Sequence, residues 1–407
     1  MTFTRHTAIC AAWLTLLAST AVAQEINDAP DPAKTRLRIG ALYLNPTIAL
    51  TNVGVDDNVF NDPSASGPKQ DVTITLTPST DLWLRIGPSW VTGNIKEDIN
   101  WYRDYASERS ANTTYTLGWR IPLSRVAFKL GTVFSNSRER PGFEIDARAA
   151  RKQLEFTGAA EYRALSRTYL GAAGSRERVQ FSEQATFLGT NLHDQLNHVS
   201  SSYSVTVREQ VTAMTAVTFA GTHSEDRFEF SPDRDSSSNA ATVAVAFDPQ
   251  ALLKGTATIG YTDFKPYDST LPAFRGVTTN VNLSYTLLEM TKFTLVAHRA
   301  VQNSFEINQP YYVQTGYTFT VAQQIFGPVD IVVRLGHQTL AYRDREGMSI
   351  ASPNRSDEVS IYGGGIGYHL GKSLRLGINV DQTQRTSPLE SRRYEGLRYG
   401  AALTIGT

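Results

Sequence analysis

Cysteine is almost absent from this sequence, and its single occurrence lies in a segment that is not expected to remain in the mature protein. The chain opens with Arg5, an apolar run at 8–17 and a small-residue site at 21–23, which together are typical of a cleaved secretory signal peptide (residues 1–23). Cys10 falls inside the apolar run. We therefore predict a mature chain, residues 24–407, without disulfides, a thiol nucleophile or a cysteine-ligated metal.

An excess of charge of either sign is also absent. The sequence has 39 lysine and arginine residues against 39 aspartate and glutamate residues, so it carries no electrostatic footprint for nucleic acid. After the signal segment there is no apolar run of about 18 residues, the length that a transmembrane helix requires. A membrane-spanning helix is therefore not expected in the mature chain.

What the sequence does contain is alternation of apolar and polar residues in segment after segment. In 277–287 most odd-numbered residues are apolar and every even-numbered residue is polar. This period of two predicts β-strands with one apolar and one polar face. The pattern recurs in 72–86, 113–121, 153–162, 311–325, 374–385 and 397–407.

The connections between these segments are of two alternating kinds. Eight are tight, near residues 88, 123, 166, 212, 249, 290, 327 and 371. Nine are longer and more polar, near 55–70, 106–110, 141–149, 182–196, 231–236, 268–274, 307–310, 345–354 and 388–391. Short turns that alternate with long loops are typical of outer-membrane barrels.

We therefore predict an all-β fold, a closed antiparallel transmembrane β-barrel of about 18 strands, with 16–18 compatible with the pattern. The barrel is expected at 41–407, after a short periplasmic leader at 24–40. Lipid cannot satisfy the free backbone groups of an edge strand, so the first strand, 42–54, is expected to pair with the last, 391–407. A soluble multi-sheet protein is the alternative.

Aromatic residues near the predicted strand ends suggest girdles at the two membrane interfaces. The alternative is that they belong to the core of a soluble sheet. The residues concerned are Trp83, Trp90, Trp101, Tyr105, Trp119, Tyr311 and Phe326.

The start of the predicted barrel carries the most specific motif. After the leader come ALYLNP at 41–46 and GVDDNVF at 54–60. With the alternating strands that follow, the chain resembles the putative β-barrel porin 2 family of Gram-negative outer membranes. The resemblance implies an outer-membrane protein related to exit pores for exopolysaccharide, and it brings no catalytic residues and no cofactor.

Signals for chemistry are few. The sequence has no HExxH, GxSxG or Walker motif, and the glycines at 363–367 fit a strand of low bulk at which the strand bends or a neighbouring backbone comes close. His223 beside Ser224 only imitates a catalytic group, so no enzyme is expected. In VDDNVF, Asp56 and Asn58 are weak candidates for a divalent cation, but they suit better the turn out of the first strand.

The polar strand faces supply the predicted pore lining, in which both charge signs are present without a large excess. Such a wall can hydrogen-bond hydroxylated solutes. The alternative is that the polar residues reflect only the polar wall that any water-filled barrel needs. The candidates are Arg85, Lys96, Asp98, Asn100, Tyr102, Arg120, Glu155, Glu161, Asn280, Asn282, Tyr312, Gln314, Arg334, Arg375, Asp381 and Arg398.

These features favour an outer-membrane pore for passive transport, with secreted polysaccharide as cargo. A general porin for small solutes is the first alternative, and a non-conducting barrel used as an adhesin or scaffold is the second. The expected partners are outer-membrane lipid, a periplasmic polysaccharide-export protein and the polysaccharide itself. Loops 55–70 and 182–196 are the longest candidates for gating, because no plug domain is expected.

Overall fold

The computed structural model describes residues 35–248, 251–371 and 373–406, and most of them belong to one antiparallel sheet. The predicted signal peptide and most of the predicted leader lie outside the described residues. The sheet has nineteen strands. The first is a short segment, Leu37–Ile39, which forms a hairpin with residues 42–44, and the other eighteen form the wall of a barrel.

The wall strands are numbered here in chain order. They are β1 (Leu42–Asp56), β2 (Asp71–Ile86), β3 (Ser89–Tyr102), β4 (Ser110–Pro122), β5 (Val126–Glu139), β6 (Ala149–Arg163), β7 (Thr168–Phe181), β8 (His198–Thr212) and β9 (Thr215–Phe228). They continue as β10 (Ser236–Phe247), β11 (Leu253–Pro266), β12 (Phe274–Leu287), β13 (Thr291–Asn303), β14 (Tyr311–Phe326), β15 (Val329–Arg343), β16 (Ser356–Leu370), β17 (Leu374–Thr386) and β18 (Tyr394–Ile405).

Each wall strand pairs with its neighbours in the chain, and β1 also pairs with β18. At this seam Asp56 lies opposite Arg398 of β18 and Asp71 of β2. The pairing closes the sheet, so the wall has no free edge. The predicted fold class, the strand number and the pairing of the first strand with the last are thereby confirmed.

The predicted alternation of turns and loops is also confirmed. Short turns such as Gly87–Pro88 and Gly327–Pro328 join strands at one end of the barrel. The loops at the other end are 57–70, 103–109, 140–148, 182–197, 229–235, 267–273, 304–310, 344–355 and 387–393. We call the loop end external, following the usual arrangement of such barrels.

The two faces of the wall differ as the alternation predicts. Large apolar side chains such as Leu117, Phe156, Val205 and Ile378 are exposed on the outer face, where a bilayer would cover them. Polar side chains occupy the inner face. The one α-helix among the described residues, Leu192–Leu196, has five residues, and no helix in the described part of the chain is long and apolar enough to cross a membrane.

The wall departs from a regular cylinder at the external end of β13 and β14. Strands β12 and β13 pair only up to Thr279 and Arg299. Beyond that point Val313, on the outer-face parity of β14, is 1% exposed and packs in a cluster with Phe264 and Phe274 from the inner-face parity of β11 and β12. The end of the β13–β14 hairpin therefore leans into the barrel mouth.

The aromatic girdle is only partly as predicted. Trp101, Trp119 and Phe326 are exposed on the outside. Tyr311 is buried in the leaning hairpin and donates to the Pro272 carbonyl. Trp83 and Trp90 lie on the inner-face parity, where Trp90 packs on Tyr43, and Tyr105 packs on Phe60 in the loops. For these four residues the girdle prediction is wrong, because nearness to a strand end does not tell which face a residue occupies.

Candidate functional site

The inner wall carries charged side chains that are mostly matched in pairs. The sixteen residues that the sequence suggests for the pore lining have the inner-face parity of their strands. Lys96 Nζ lies 2.7 Å from Asp98 Oδ2, and Glu161 accepts from Arg208 at 2.7 Å. Their part in transport remains a prediction.

Other residues of the predicted pore lining contact neighbours of different kinds. Tyr312 and Gln314 lie on the leaning hairpin, where Gln314 donates to Gln338. Glu155 lies opposite Glu177 in the register of β6 and β7. Asn100 accepts from Thr75 at 2.8 Å.

Two ion pairs span three strands across the glycine-rich β16. Arg334 of β15 donates to Asp381 of β17 at 2.8 Å, and Arg375 of β17 donates to Asp330 of β15 at 2.8 and 2.5 Å. His369 adds a 2.7 Å contact to Asp330. These side chains lie flat against the strand between them.

The glycines of β16 make room for these bridges. A Cβ added at Gly363 would overlap Asp381 Oδ1, one at Gly365 would overlap Asn379 Oδ1, and one at Gly367 would overlap the Arg375 guanidinium. The close approach of neighbouring backbone that the sequence predicts is present only at Gly365, which lies near the Ile378 carbonyl. The groups that come near are mainly side chains of β17.

The two weak metal candidates both have protein partners. Asp56 accepts from the Arg398 guanidinium and from the Asn58 backbone N–H. Asn58 donates to the Asp62 and Glu395 carbonyls, each at 2.9 Å, and accepts from the Asp62 N–H at 2.8 Å. The Asn58 side chain thus holds the turn out of β1, which is the structural role that the sequence favours. Among the described residues no cluster of His, Cys, Asp and Glu could hold a metal ion.

The hydrogen bond described for the histidine considered for catalysis is to an asparagine. His223 has the outer-face parity of β9, and its Nδ1 lies 2.9 Å from Asn239 Oδ1. The neighbouring Ser224 has the opposite parity, so the two side chains lie on opposite faces of the wall.

At the external mouth several loops fold over the lumen. We call residues 140–148, 182–197, 304–310 and 387–393 the cap. Glu144, from the β5–β6 loop, accepts from Ser304 Oγ at 2.6 Å and from the Phe305 N–H at 3.2 Å. Because the two strands flanking this loop stand nearly opposite β13 and β14 in the barrel order, the loop crosses the mouth.

Apolar contacts hold the cap on both sides of this crossing. Ile145 is buried with Leu192, Leu196 and Phe305. On the other side Phe143 packs against inner-face residues at the external ends of three strands. Those residues are Tyr312, Leu340, Tyr342 and Val359.

Buried arginines, Arg385 at the end of β17 and Arg392 in the cap itself, supply polar contacts to the crossing loop. Arg385 donates to Asp357 at 2.5 Å, to the Phe143 carbonyl at 2.7 Å and to Asp146 Oδ2 at 3.3 Å. Arg392 donates to the Glu144 carbonyl, and its Nη1 lies 3.3 Å from Asp146 Oδ2.

A third arginine, Arg355, contacts the same acid as Arg385, namely Asp357. It donates to both oxygens of Asp357, at 3.0 and 2.7 Å, and to Glu306 at 3.1 Å. Asp357 therefore bridges Arg355 and Arg385, and it also accepts from Ser387 at 2.6 Å.

Glu144 is the buried acid of the cap. Burial raises its pKa to about 7, against the opposing influence of the hydrogen bonds from Ser304 and Phe305 and the charge of Arg392. The carboxyl is therefore largely neutral below pH 7.

The sequence predicts a long connection near 141–149, but it does not show that this loop crosses the mouth or that Arg392 contacts it. Loop 57–70, one of the two predicted gating candidates, has an exposed tip at 64–70, although Val59 near its start accepts from Arg140 and Arg148. Loop 182–197 does fold inward. The available signal for loop 140–148 was the apolar pair Phe143 and Ile145 inside an otherwise polar connection.

Comparison with known proteins identifies a family. The sequence profile described as putative beta-barrel porin 2 matches residues 32–406. The sequence matches no curated protein.

Several solved structures are similar to this chain at low identity. The FrpB iron transporter of Neisseria meningitidis (F5-1 variant) is 9% identical with a TM-score of 0.42, and the alignment covers 85% of this chain and 64% of that one, which is less than two thirds of its length. The outer membrane protein OpdK of Pseudomonas aeruginosa is 10% identical, with 89% and 98% covered and a TM-score of 0.46. OccK2 (OpdF) of the same organism, solved with glucuronate, is 8% identical, with 89% and 98% covered and a TM-score of 0.47.

Proposed function

This chain belongs to the putative beta-barrel porin 2 family, and from this premise we propose that it is a passive channel in the outer membrane of a Gram-negative bacterium, with secreted polysaccharide as its cargo. The observation that supports this most is the inner wall: a closed barrel of eighteen strands in which several lumen-facing charges are matched in pairs, as in Arg334–Asp381 and Arg375–Asp330. A barrel of this strand number is wide enough for an aqueous channel.

The chemistry of the wall suits hydroxylated cargo. One sector, from β9 to β12, has small hydroxyl or amide residues on its inner face, among them Thr218, Thr242, Thr258 and Asn282. Their donors and acceptors can exchange hydrogen bonds with sugar hydroxyls. Paired charges elsewhere give little preference for a simple anion or cation.

A general porin for small solutes is the second candidate. The observation in its favour is the cap, because loops that cross the mouth narrow the passage to a size that suits small molecules better than a polymer. A polysaccharide would require the cap to move. A periplasmic export protein is the partner that could deliver such a polymer, since a passive channel supplies no energy.

The test has two parts. Purified protein in a planar bilayer is expected to show stepwise ion conductance; a silent bilayer would favour the adhesin or scaffold function. In cells, deletion of the gene is expected to abolish surface polysaccharide and to leave small-nutrient uptake intact. The opposite pattern, with uptake lost and polysaccharide retained, would instead establish the small-solute porin.

A further inference from the structure

Two arginines donate to the crossing loop: Arg392 takes its described acceptors from it, and Arg385 takes some of its acceptors from it. Arg385 is 1% exposed and Arg392 is 2% exposed. The acceptors described for Arg392 are the Glu144 carbonyl and, by proximity, the Asp146 carboxylate, both from loop 140–148. Its guanidinium otherwise packs over the rings of Phe187 and Phe305, at 4.8 and 5.9 Å.

These buried cations have more donors than acceptors. Among the described residues Arg385 Nε, Arg392 Nε and Arg392 Nη1 are buried without a hydrogen-bond partner. A buried donor of a charged group that lacks an acceptor is costly. The site can therefore accept more anionic oxygen than Asp146 supplies.

A polymer that passes the mouth has to displace the crossing loop. Arg392 would then lose both of its acceptors, and Arg385 would keep only Asp357. Three arginines, Arg355, Arg385 and Arg392, would face only two neighbouring carboxylates, Asp357 and Glu306. Displacement therefore leaves an excess of positive charge at the mouth.

The cargo has to compensate for this loss. A carboxylate can do so with short charge-assisted hydrogen bonds, which are roughly twice as strong as those of a neutral hydroxyl. The fork of an arginine also matches a carboxylate in geometry. A neutral sugar would leave the two arginines poorly satisfied.

We propose that Arg385 and Arg392 form an anion subsite in the cap, that Asp146 is its internal occupant, and that the cargo is an acidic polysaccharide whose carboxylates replace Asp146. This inference rests on the proposed channel function and specifies its substrate class. Asp146 is held in place by Asn61, which donates to its Oδ1 at 3.2 Å, so the internal occupant is positioned from a second loop.

The experiment measures ion current through the full-length protein in a planar bilayer while oligosaccharides are added to the external side. The probes are oligogalacturonate and malto-oligosaccharide of equal length, which are both linear α-1,4-linked chains. They differ in the carboxylates, which only oligogalacturonate carries, and in the configuration at C4, so the variants below decide whether the carboxylates are responsible. Oligogalacturonate is expected to interrupt the current at a concentration about tenfold lower than malto-oligosaccharide does.

Two variants test the residues. Arg392→Met keeps an unbranched side chain between Phe187 and Phe305 but removes the charge, and it is expected to abolish the preference. Asp146→Asn removes the internal carboxylate at equal size. It is expected to lower the concentration of oligogalacturonate that interrupts the current and to leave that of malto-oligosaccharide unchanged. Arg393→Gln is the matched control, since Arg393 is the exposed neighbour that donates to the Ser387 carbonyl; it should retain the preference.

The outcomes separate the two proposals. A wild-type channel that conducts but responds equally to both oligosaccharides overturns the anion subsite and leaves the channel function intact. A preference for oligogalacturonate that persists in Arg392→Met also overturns the anion subsite and leaves the channel function intact. If Arg392→Met fails to insert, the comparison of Asp146→Asn with the wild type decides alone, and an unchanged response there overturns the subsite. A wild-type protein that does not conduct overturns the channel function and, with it, this inference.

Discussion

Glu144 is the residue at which protonation and closure of the cap are most directly coupled. Its pKa is raised from 4.5 to about 7 in the closed cap, whereas in an open cap, exposed to water, it would return toward its usual value. The closed state then binds more protons than the open one between these two values. Closure is consequently favoured at low pH and weakened as the pH rises through this interval.

We therefore expect the open probability of the channel to rise as the pH is raised from 5 to 8. The coupling amounts to about 3 kcal/mol at most, from the size of the pKa shift. Glu144→Gln, which imitates the neutral acid, should keep the channel mostly closed and flatten the pH dependence. Single-channel recording over this pH range measures both effects.

The control for this prediction is Glu390→Gln, which removes a fully exposed cap carboxylate. It should follow the wild-type pH profile. If Glu144→Gln also retains the wild-type profile, the pH response does not arise from Glu144.

At the scale of elements, loop 140–148 is the part of the cap that controls the width of the mouth. We expect that replacing residues 142–146 with two glycines will raise the single-channel conductance. The barrel should still form, because none of the strand ladders involves these residues. Conductance and the heat-dependent mobility of the folded barrel in gel electrophoresis provide the two measurements.

Removal of residues 64–67 from loop 57–70 is the matched deletion. These residues are exposed on a loop tip, so the conductance should remain at the wild-type level. Equal gains from both deletions would show that loop 140–148 has no special part in narrowing the mouth.

The elements were predictable from the sequence to different degrees. Strands such as 277–287 can be predicted because a water-facing and a lipid-facing side impose a period of two on the sequence. Turns such as Gly87–Pro88 can be predicted because their residue types are distinctive. The contact of Glu144 with Ser304 joins loops 160 residues apart and leaves no periodic trace. Likewise Tyr311 looked like an interfacial aromatic, because nothing local reveals that the β13–β14 hairpin leans inward.

At the scale of the whole molecule, the barrel depends on the seam between β1 and β18. Asn52 bulges from β1 with a positive φ of 53°, and the register with β18 shifts beside it, between Leu50 and Val53. Just after this irregularity Gly54 lies so close to β18 that an added Cβ would overlap the Tyr399 carbonyl oxygen. The two ends of the sheet can close here only because Gly54 has no side chain.

Gly54→Ala is therefore expected to weaken closure, by about 1–3 kcal/mol as for overpacked sites in general. The measurement is urea unfolding of the protein in lipid vesicles, followed by tryptophan fluorescence. Gly158→Ala serves as the comparison, because a Cβ there meets only Leu130 Cδ2 at 3.8 Å, and it should unfold like the wild type. Equal stability of the two variants would contradict a special role for the seam.

The glycines of β16 have a further consequence for anything that slides along the wall. Because Arg375 and Asp381 lie across Gly367 and Gly363 toward Asp330 and Arg334, their charges are folded down onto the wall instead of standing out into the lumen. A long molecule that moved past this sector would therefore meet few charged side chains that project into the lumen. If the proposed cargo slides along this wall, its friction in this charge-rich sector would therefore be low.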